Sequence, residues 1–380
     1  MSENNLNIQM VDLKSQYMKI KPQVDQALND VLSSTQFING EHVKSFQNEL
    51  AAYLDVKHVI TCANGTDALQ ISMMALGLKP GDEIITPSFT YIATTEVIGL
   101  LGLKPVFVDC DSENFNISID EVEKAITKKT KAIVPVHLFG QSSDMKSIMS
   151  LAKKYNLFVI EDNAQAIGSD YLGFNQPQKT GTIGNIGCTS FFPSKNLGCF
   201  GDGGAVMTND DELAKNLRMI ANHGQSKRYY HDIVGCNSRL DNIQAAVLRI
   251  KLKELDQYIL NRQKAANYYD QNLKDLDQLT LPFRNLDSNH VFHQYTLKLD
   301  DSKVRDELIQ YLALKNIPAM VYYPVPAHRQ KMFSKIPNSY GTMRVTNWLS
   351  SRVFSLPMHT ELSTLQQDYI IENISNFLNK

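Results

Sequence analysis

The chain has 380 residues, with 38 basic and 40 acidic side chains and a formal net charge of −2, a balance that offers no global field to nucleic acid or to an anionic membrane. Its length is more than one simple core fills, which predicts a large domain over residues 1–255 joined to a smaller one over 256–380. Cys62, Cys110, Cys188, Cys199 and Cys236 are odd in number and scattered, with no C-x-x-C pair, and fit the reduced thiols of a cytoplasmic protein.

The start, Met1-Ser-Glu-Asn-Asn, carries an acid where a secretory signal carries base, and no apolar run approaches the ~20 residues of a membrane span. From Leu50 to Thr208 short apolar runs alternate with helical patterns: His58-Val-Ile-Thr, Glu83-Ile-Ile-Thr, Pro105-Val-Phe-Val-Asp, Ala132-Ile-Val-Pro-Val and Leu157-Phe-Val-Ile-Glu-Asp. Runs apolar on both faces predict strands of a mostly parallel sheet covered by helices, an α/β domain. After Gly65, the positions Leu69, Met73 and Leu76 share a helical face that stops at Gly77, so a helix begins near Asn64-Gly65-Thr66. Cys188-Thr-Ser-Phe-Phe reads as a strand, with Lys195 in the loop that follows. Leu240, Ile243, Val247 and Ile250 predict a helix running to about Asn267 and bridging the domains. Beyond it come a loop from Pro282, a strand at Val291 to Leu299, a helix from Ser302 to Leu314, a strand near Pro318 to Tyr323 and a closing helix from Thr364 to Leu378, a smaller α+β domain.

Three stretches carry chemistry. The backbone at Gly65 and Thr66, where a strand turns into a helix, offers free N–H groups to an anion such as phosphate; an ordinary turn capped by Thr66 or Asp67 is the other reading. The stretch has neither the G-x-G-x-x-G of dinucleotide sites nor the G-K-[ST] of P-loops. Asp162, at the carboxyl end of an apolar strand, stands where open α/β sheets place ligands and could pair with a protonated ring nitrogen, or could cap a helix. Lys195 lies between Ser190 and the cluster Gly201-Asp-Gly-Gly, and is either a solvated loop lysine or an amine able to form a Schiff base with a carbonyl. Phosphate site, acid and lysine at the strand ends of one sheet argue for the second.

These residues resemble the DegT/DnrJ/EryC/StrS group of sugar aminotransferases, pyridoxal-phosphate enzymes of fold type I (aspartate aminotransferase-like). The resemblance spans nearly the whole chain and rests on Asn64-Gly-Thr-Asp-Ala-Leu, Pro87-Ser-Phe-Thr-Tyr, Glu161-Asp-Asn-Ala-Gln, Ser190-Phe-Phe-Pro-Ser-Lys-Asn-Leu-Gly, Gly201-Asp-Gly-Gly-Ala and Gly235-Cys-Asn-Ser-Arg-Leu-Asp. It implies a large domain with a mostly parallel mixed sheet and a smaller α+β domain, and pyridoxal 5'-phosphate as cofactor. Lys195 would carry the cofactor and shuttle the proton, Asp162 would pair with its pyridine nitrogen, and Gln165 would touch its phenolic oxygen. Gly65, Thr66 and Ser190 would hold the phosphate and Tyr91 would stack on the ring. Asn237 would reach the phosphate from the neighbouring subunit, making the site shared in a homodimer.

A branch of that group that dehydrates its sugar carries His in place of the lysine, so Lys195 favours amination. The resemblance further implies L-glutamate as donor, leaving as 2-oxoglutarate, and a nucleotide-linked keto-sugar as acceptor, destined for surface polysaccharide such as lipopolysaccharide O-antigen. The motifs look most like the branch that aminates C3 of a UDP-linked 2-acetamido-3-keto-glucuronate, with Arg239 the natural partner of a carboxylate. The departure is Tyr322, where that branch has His, which keeps a dTDP-linked 3-keto-6-deoxyhexose, or a 4-keto-sugar, as the alternative. A non-catalytic regulatory relative and a nicotinamide oxidoreductase are the readings from other classes; the intact lysine and acid oppose the first and the missing dinucleotide motif the second. His137 reads as a satisfied, partly buried histidine, and His223, Arg228, Tyr229 and Tyr230 as either a pyrophosphate grip or a solvated loop. His328 and His359 lack metal-ligand spacing, and no metal is expected.

Overall fold

Strand and helix alternate as the apolar runs predict, in a computed structural model that describes residues 6–379; the Met1–Asn5 start lies outside the described residues. Two helices, α1 (Leu13–Ser34) and α2 (Glu41–Leu54), precede β1 (His58–Cys62), α3 (Gly65–Ala75), β2 (Glu83–Pro87), α4 (Ala93–Leu100) and β3 (Lys104–Val108). There follow α5 (Ile119–Ala125), β4 (Thr130–Ile133), α6 (Met145–Tyr155), β5 (Phe158–Asp162) and a small hairpin of β6 (Asp170–Tyr171) and β7 (Gln178–Lys179). The next elements are β8 (Ile186–Ser190), β9 (Gly204–Thr208), α7 (Asp211–Ala221) and the hairpin β10 (Gln225–Lys227) and β11 (Tyr230–His231). The chain ends with α8 (Asn242–Leu273), β12 (Leu279–Thr280), β13 (Tyr295–Leu299), α9 (Ser302–Leu314), β14 (Ser339–Tyr340), α10 (Arg344–Ser350), β15 (Val353–Leu356) and α11 (Thr364–Leu378).

Eight strands form one sheet in the order β1-β9-β8-β5-β4-β2-β3-β14, parallel throughout except for β9, which opposes both its neighbours. Strands β2, β8 and β9 are buried at every position, as expected of a sheet covered on both faces. Because β9 runs against both β1 and β8, those two point the same way as β5. Their registers meet at one edge: Cys62 pairs with Gly204, Gly204 with Ser190, and Asp162 with Cys188. The carboxyl ends that carry the phosphate, acid and lysine motifs therefore converge.

Helix α8 shares its buried face between two cores. Its first half packs Ala245, Leu248, Leu252 and Leu255 with α2 and the large sheet. Its last turns pack Ala266, Tyr269 and Leu273 against β13, β15, α9 and α11, where β12, β13 and β15 make a small antiparallel sheet. The helix passes unbroken through positions 255 and 256 and on to Leu273, six residues beyond the expected Asn267.

Two expectations in the last third need correction. The strand expected from Val291 begins only at Tyr295, because residues 291–293 form a buried loop whose Val291 N–H donates to Gly140 O at 2.8 Å. The strand expected near Pro318 to Tyr323 shrinks to one bridge between Met320 and Ser355; Pro318 and Pro324 at its ends supply no N–H to a ladder. Ser339–Tyr340, for which no element was expected, adds a parallel edge strand beside β3 of the large sheet.

Candidate active site

The anion-binding turn is built by Asn64, whose side chain caps α3 by accepting from the Asp67 N–H at 2.7 Å. The cap is thus neither Thr66 nor Asp67. Asp67 is engaged by the Ser238 hydroxyl at 2.6 Å, and the Ala68 N–H by Asn64 O, which leaves the Gly65 and Thr66 amides as the first-turn donors for a ligand. Gly65 is required here: a Cβ on it would lie 2.7 Å from Ser190 Cβ. That contact also brings the Ser190 hydroxyl beside the helix start.

Asp162 is 6% exposed at the end of β5. Thr94, in the first turn of α4, donates its hydroxyl to Asp162 Oδ2 at 2.7 Å, and the Ala164 N–H reaches Oδ1 at 3.1 Å. The next residue back, Glu161, is fully buried and accepts four hydrogen bonds: from His137 Nε2 at 2.8 Å and from the N–H groups of Gly181, Ile183 and Gly184 at 2.8, 2.7 and 2.6 Å. His137 Nδ1 accepts from the Ser143 N–H at 3.1 Å, so its Nε2 carries the proton given to Glu161. His137 is satisfied as expected, but fully rather than partly buried. Glu161 and His137 pin the end of β5 from below and so fix the stem that carries Asp162.

Lys195 follows a tight turn in which its own N–H donates to Phe192 O at 2.8 Å. A Cβ on Gly198 would stand 2.3 Å from Pro193 O, so only glycine lets this turn close. Lys251 of α8, itself buried, donates to Gly198 O at 2.7 Å and clamps the turn to the helix. Desolvation of the Lys195 ammonium pushes its pKa down to about 8, against the opposing pull of Asp162. Relative to an ordinary lysine at 10.5, that raises the neutral, nucleophilic fraction near neutral pH roughly 300-fold.

An aromatic wall flanks this amine and acid. Gln165 accepts from the Phe139 N–H at 2.8 Å and donates to the Tyr323 hydroxyl at 3.0 Å. The Tyr323 ring lies 6.1 Å from Tyr91, 6.2 Å from Phe89 and 5.9 Å from Tyr322. Tyr91 is 56% exposed, with its ring open at the mouth. Burial pushes the Tyr322 hydroxyl up, and a hydrogen bond with Gln294 pulls the other way, so it is a neutral phenol.

Within one chain, then, Gly65, Thr66, Tyr91, Asp162, Gln165, Ser190, Lys195 and Tyr322 gather at one edge of the sheet, and Asn237 and Arg239 do not join them. Asn237 is exposed, bridged through its backbone to Asn222. Arg239 lines a separate cleft of about 150 Å³ beside β1, with Arg218, Gln47 and Thr61. The hairpin bearing Arg228, Tyr229 and Tyr230 is exposed, with the Arg228 guanidinium 5.1 Å above the Tyr229 ring. Thr94, Glu161, Tyr323 and Lys251 were not singled out from the sequence. Thr94 had no signal beyond its place after Pro87-Ser-Phe-Thr-Tyr, whereas Lys251, a charge on the apolar side of a helix, had one. Among the described residues no helix is long and apolar enough to cross a membrane.

Comparison with known proteins places these motifs. The model of the DegT/DnrJ/EryC1/StrS aminotransferase family matches residues 18–375. The "Pleiotropic regulatory protein" of Geobacillus stearothermophilus is 45% identical over 374 residues, 98% of this chain and 99% of that one. The UDP-2-acetamido-2-deoxy-3-oxo-D-glucuronate aminotransferase of Pseudomonas aeruginosa is 44% identical over 369 residues, 97% of this chain and 100% of that one. The crystal structure of S. venezuelae DesV in complex with a ketimine intermediate superposes with a TM-score of 0.93 at 37% identity, covering 98% of this chain and 99% of that one.

Proposed function

Because the chain belongs to the DegT/DnrJ/EryC1/StrS aminotransferase family, we propose that it moves an amino group from L-glutamate to C3 of a UDP-linked 2-acetamido-3-keto-glucuronate. It is a sugar aminotransferase of the type I fold that uses pyridoxal 5'-phosphate. The residues present fit that group: an amine held near pKa 8, a buried anchored carboxylate, and a helix start whose glycine leaves room where a Cβ would collide with Ser190. When bound, the cofactor holds the migrating amino group and accepts the electrons released as the substrate C–H bond breaks.

The chain's own residues divide the work. The Gly65 and Thr66 amides and the Ser190 hydroxyl would hold the phosphate, Asp162, gripped by Thr94, would pair with the ring nitrogen, Gln165 would meet the ring's oxygen, and Tyr91 would stack on the ring. Lys195, partly neutral at working pH, takes the proton from the substrate carbon as a base and returns it as an acid. Asn237 and Arg239 serve the partner's site in a homodimer; the exposure of Asn237 and the place of Arg239 in a cleft apart from Lys195 support this. Free, mostly buried cysteines fit a cytoplasmic enzyme whose product enters surface polysaccharide.

The observation that carries the reaction is the desolvated Lys195 opposite Asp162; the sugar rests on the P. aeruginosa relative, 44% identical over 97% of this chain. Tyr322 supports the second reading, a dTDP-linked 3-keto-6-deoxyhexose, because a neutral phenol is a weaker partner for a C6 carboxylate than an imidazolium. In the test, glutamate converts the yellow holoenzyme to the aminated form of its cofactor, and a panel of nucleotide-linked keto-sugars is then offered. Recovery with the UDP-3-keto-glucuronate alone is expected. Recovery only with the dTDP sugar refutes the first reading, and no response to glutamate refutes the donor and leaves the regulatory reading that the Geobacillus name suggests.

A further inference from the structure

Six buried side-chain atoms among the described residues have no hydrogen-bond partner, and five of them sit on residues that connect the Lys195 turn, the 291–293 loop, α8 and the segment before Glu361. They are Asn196 Oδ1, His293 Nδ1, Arg262 Nε, Tyr258 Oη and His359 Nε2, on residues no more than 7% exposed. Asn196 adjoins Lys195 and donates Nδ2 to Val291 O at 3.0 Å. Arg262 of α8 donates Nη1 to Phe292 O at 3.0 Å and to Met358 O at 2.9 Å, joining the buried 291–293 loop to the residue before His359. Tyr258 lies one helical turn before Arg262 on the same face of α8. The path ends at Glu361, whose largely buried carboxylate pairs with the exposed Lys19 of α1.

Native proteins rarely leave buried polar atoms unmet, and water commonly supplies the missing partner. The chemistry here suits water. Asn196 Oδ1 can only accept and Arg262 Nε can only donate. His359 Nδ1 accepts from the Glu361 N–H at 3.3 Å, so its Nε2 is also a donor without a partner. A set that mixes unmet donors with an unmet acceptor is what a molecule with both capacities bridges.

We propose that these five atoms line an internal chain of water molecules running from Lys195 along α8 to the Glu361–Lys19 pair, through which the lysine amine exchanges protons with solvent from behind the substrate mouth. A proton leaving the Lys195 ammonium passes to the first water, each water hands one proton to the next, and Glu361 or bulk water takes the last; the return runs in reverse. No electrons move, and only Lys195 and the final acceptor change protonation. The groups beside the path keep it from trapping protons. Burial, with the Lys195 and Arg262 cations facing it, holds His293 well below the usual imidazole range. Burial and Arg262 hold His359 at about 4 against the pull of Asp12 and Glu361. Burial, with Glu254 and Glu361 facing it, raises the Tyr258 hydroxyl. All three are neutral at working pH. The chain of water belongs to the protein whichever sugar it aminates.

A crystal structure of the holoenzyme that resolves ordered water tests this directly: water bonded to most of the five atoms is expected, and dry atoms overturn it. A second readout is the titration of Lys195 in the cofactor-free chain, followed by its rate of modification with an amine reagent against pH. His293→Phe displaces the nearest water and is expected to lower the Lys195 pKa by about one unit through added desolvation, while His293→Gln, which keeps a water partner, restores it. An unchanged titration in His293→Phe, in a chain with native circular dichroism, also overturns the proposal.

Discussion

Replacing Lys195 by Met in the cofactor-free chain should stabilise the fold, in a way that depends on pH with a definite sign. The amine is held at about 8 in the folded chain and returns to 10.5 on unfolding. The unfolded chain therefore binds more protons between those values, and stability rises with pH across that window. Below about pH 8 the desolvated ammonium imposes its whole cost; above 10.5 both states are neutral and the cost is gone. The drop from 10.5 to about 8 corresponds to about 3 kcal/mol at pH 7, falling to about 1.4 kcal/mol at pH 9.5. Urea unfolding of both chains at one protein concentration, across pH 7 to 10, measures the gap at each pH. Other groups that titrate in this range, Lys251 at about 8 among them, contribute to both chains and cancel in the difference. The gap should narrow by roughly 2 kcal/mol between pH 7 and 9.5; a gap constant with pH, or one that widens, refutes the assignment of a desolvated ammonium to Lys195.

Gly65→Ala places a Cβ 2.7 Å from Ser190 Cβ, an overpacking of about 1–3 kcal/mol, so equilibrium dialysis should show cofactor affinity falling at least about tenfold, with partial recovery in Gly65→Ala/Ser190→Gly. Glu161→Gln turns an acceptor oxygen into an NH₂ group facing N–H donors that now reach Glu161 at 2.6 to 2.8 Å; denaturant midpoints should report a loss of about 3 kcal/mol, and an unchanged midpoint would remove the clamp beneath Asp162. Mixing inactive Lys195→Ala dimers with inactive Asn237→Ala dimers should restore activity through hybrids with one intact site, and absence of recovery after proven subunit exchange would place Asn237 outside a shared site.

The legible parts of the molecule were those with a period. Doubly buried strands such as Phe158–Asp162 show as short apolar runs, here Phe-Val-Ile, and α9 and α11 begin at Ser302 and Thr364, as the pattern predicts, because Asp301 and Ser363 cap them. The anion turn was legible because a strand, a glycine and an apolar helical stripe stand in order there. The segment from Pro318 to Tyr323 misled because apolar, β-prone residues imply a strand only if their N–H groups find a ladder, and flanking prolines deny it. Thr94 and Glu161 were illegible for another reason: their worth lies in partners 68 and 20 or more residues away, which only the sheet order brings near.

That same dependence on distant partners explains why Arg239 stands apart from Lys195 in a single chain. Arg218 and Arg239 line one cleft, and no carboxylate lines it with them. The nearest partner recorded for Arg218 is His58 Nδ1 at 3.3 Å, whose own Nε2 is bonded to Asp211. Two guanidinium groups left without an anion on an accessible face hold electrostatic work in reserve for something outside the chain. If Asn237, two residues away, reaches a partner's cofactor phosphate, Arg239 comes to the same mouth and can meet a substrate carboxylate there. The hybrid-dimer experiment extends to it: Arg239→Ala should complement Lys195→Ala as Asn237→Ala does, with both KM values native at the intact site, whereas the Arg239→Ala homodimer should keep its KM for glutamate if Arg239 reads the sugar's carboxylate, or its KM for the sugar if it reads the donor's.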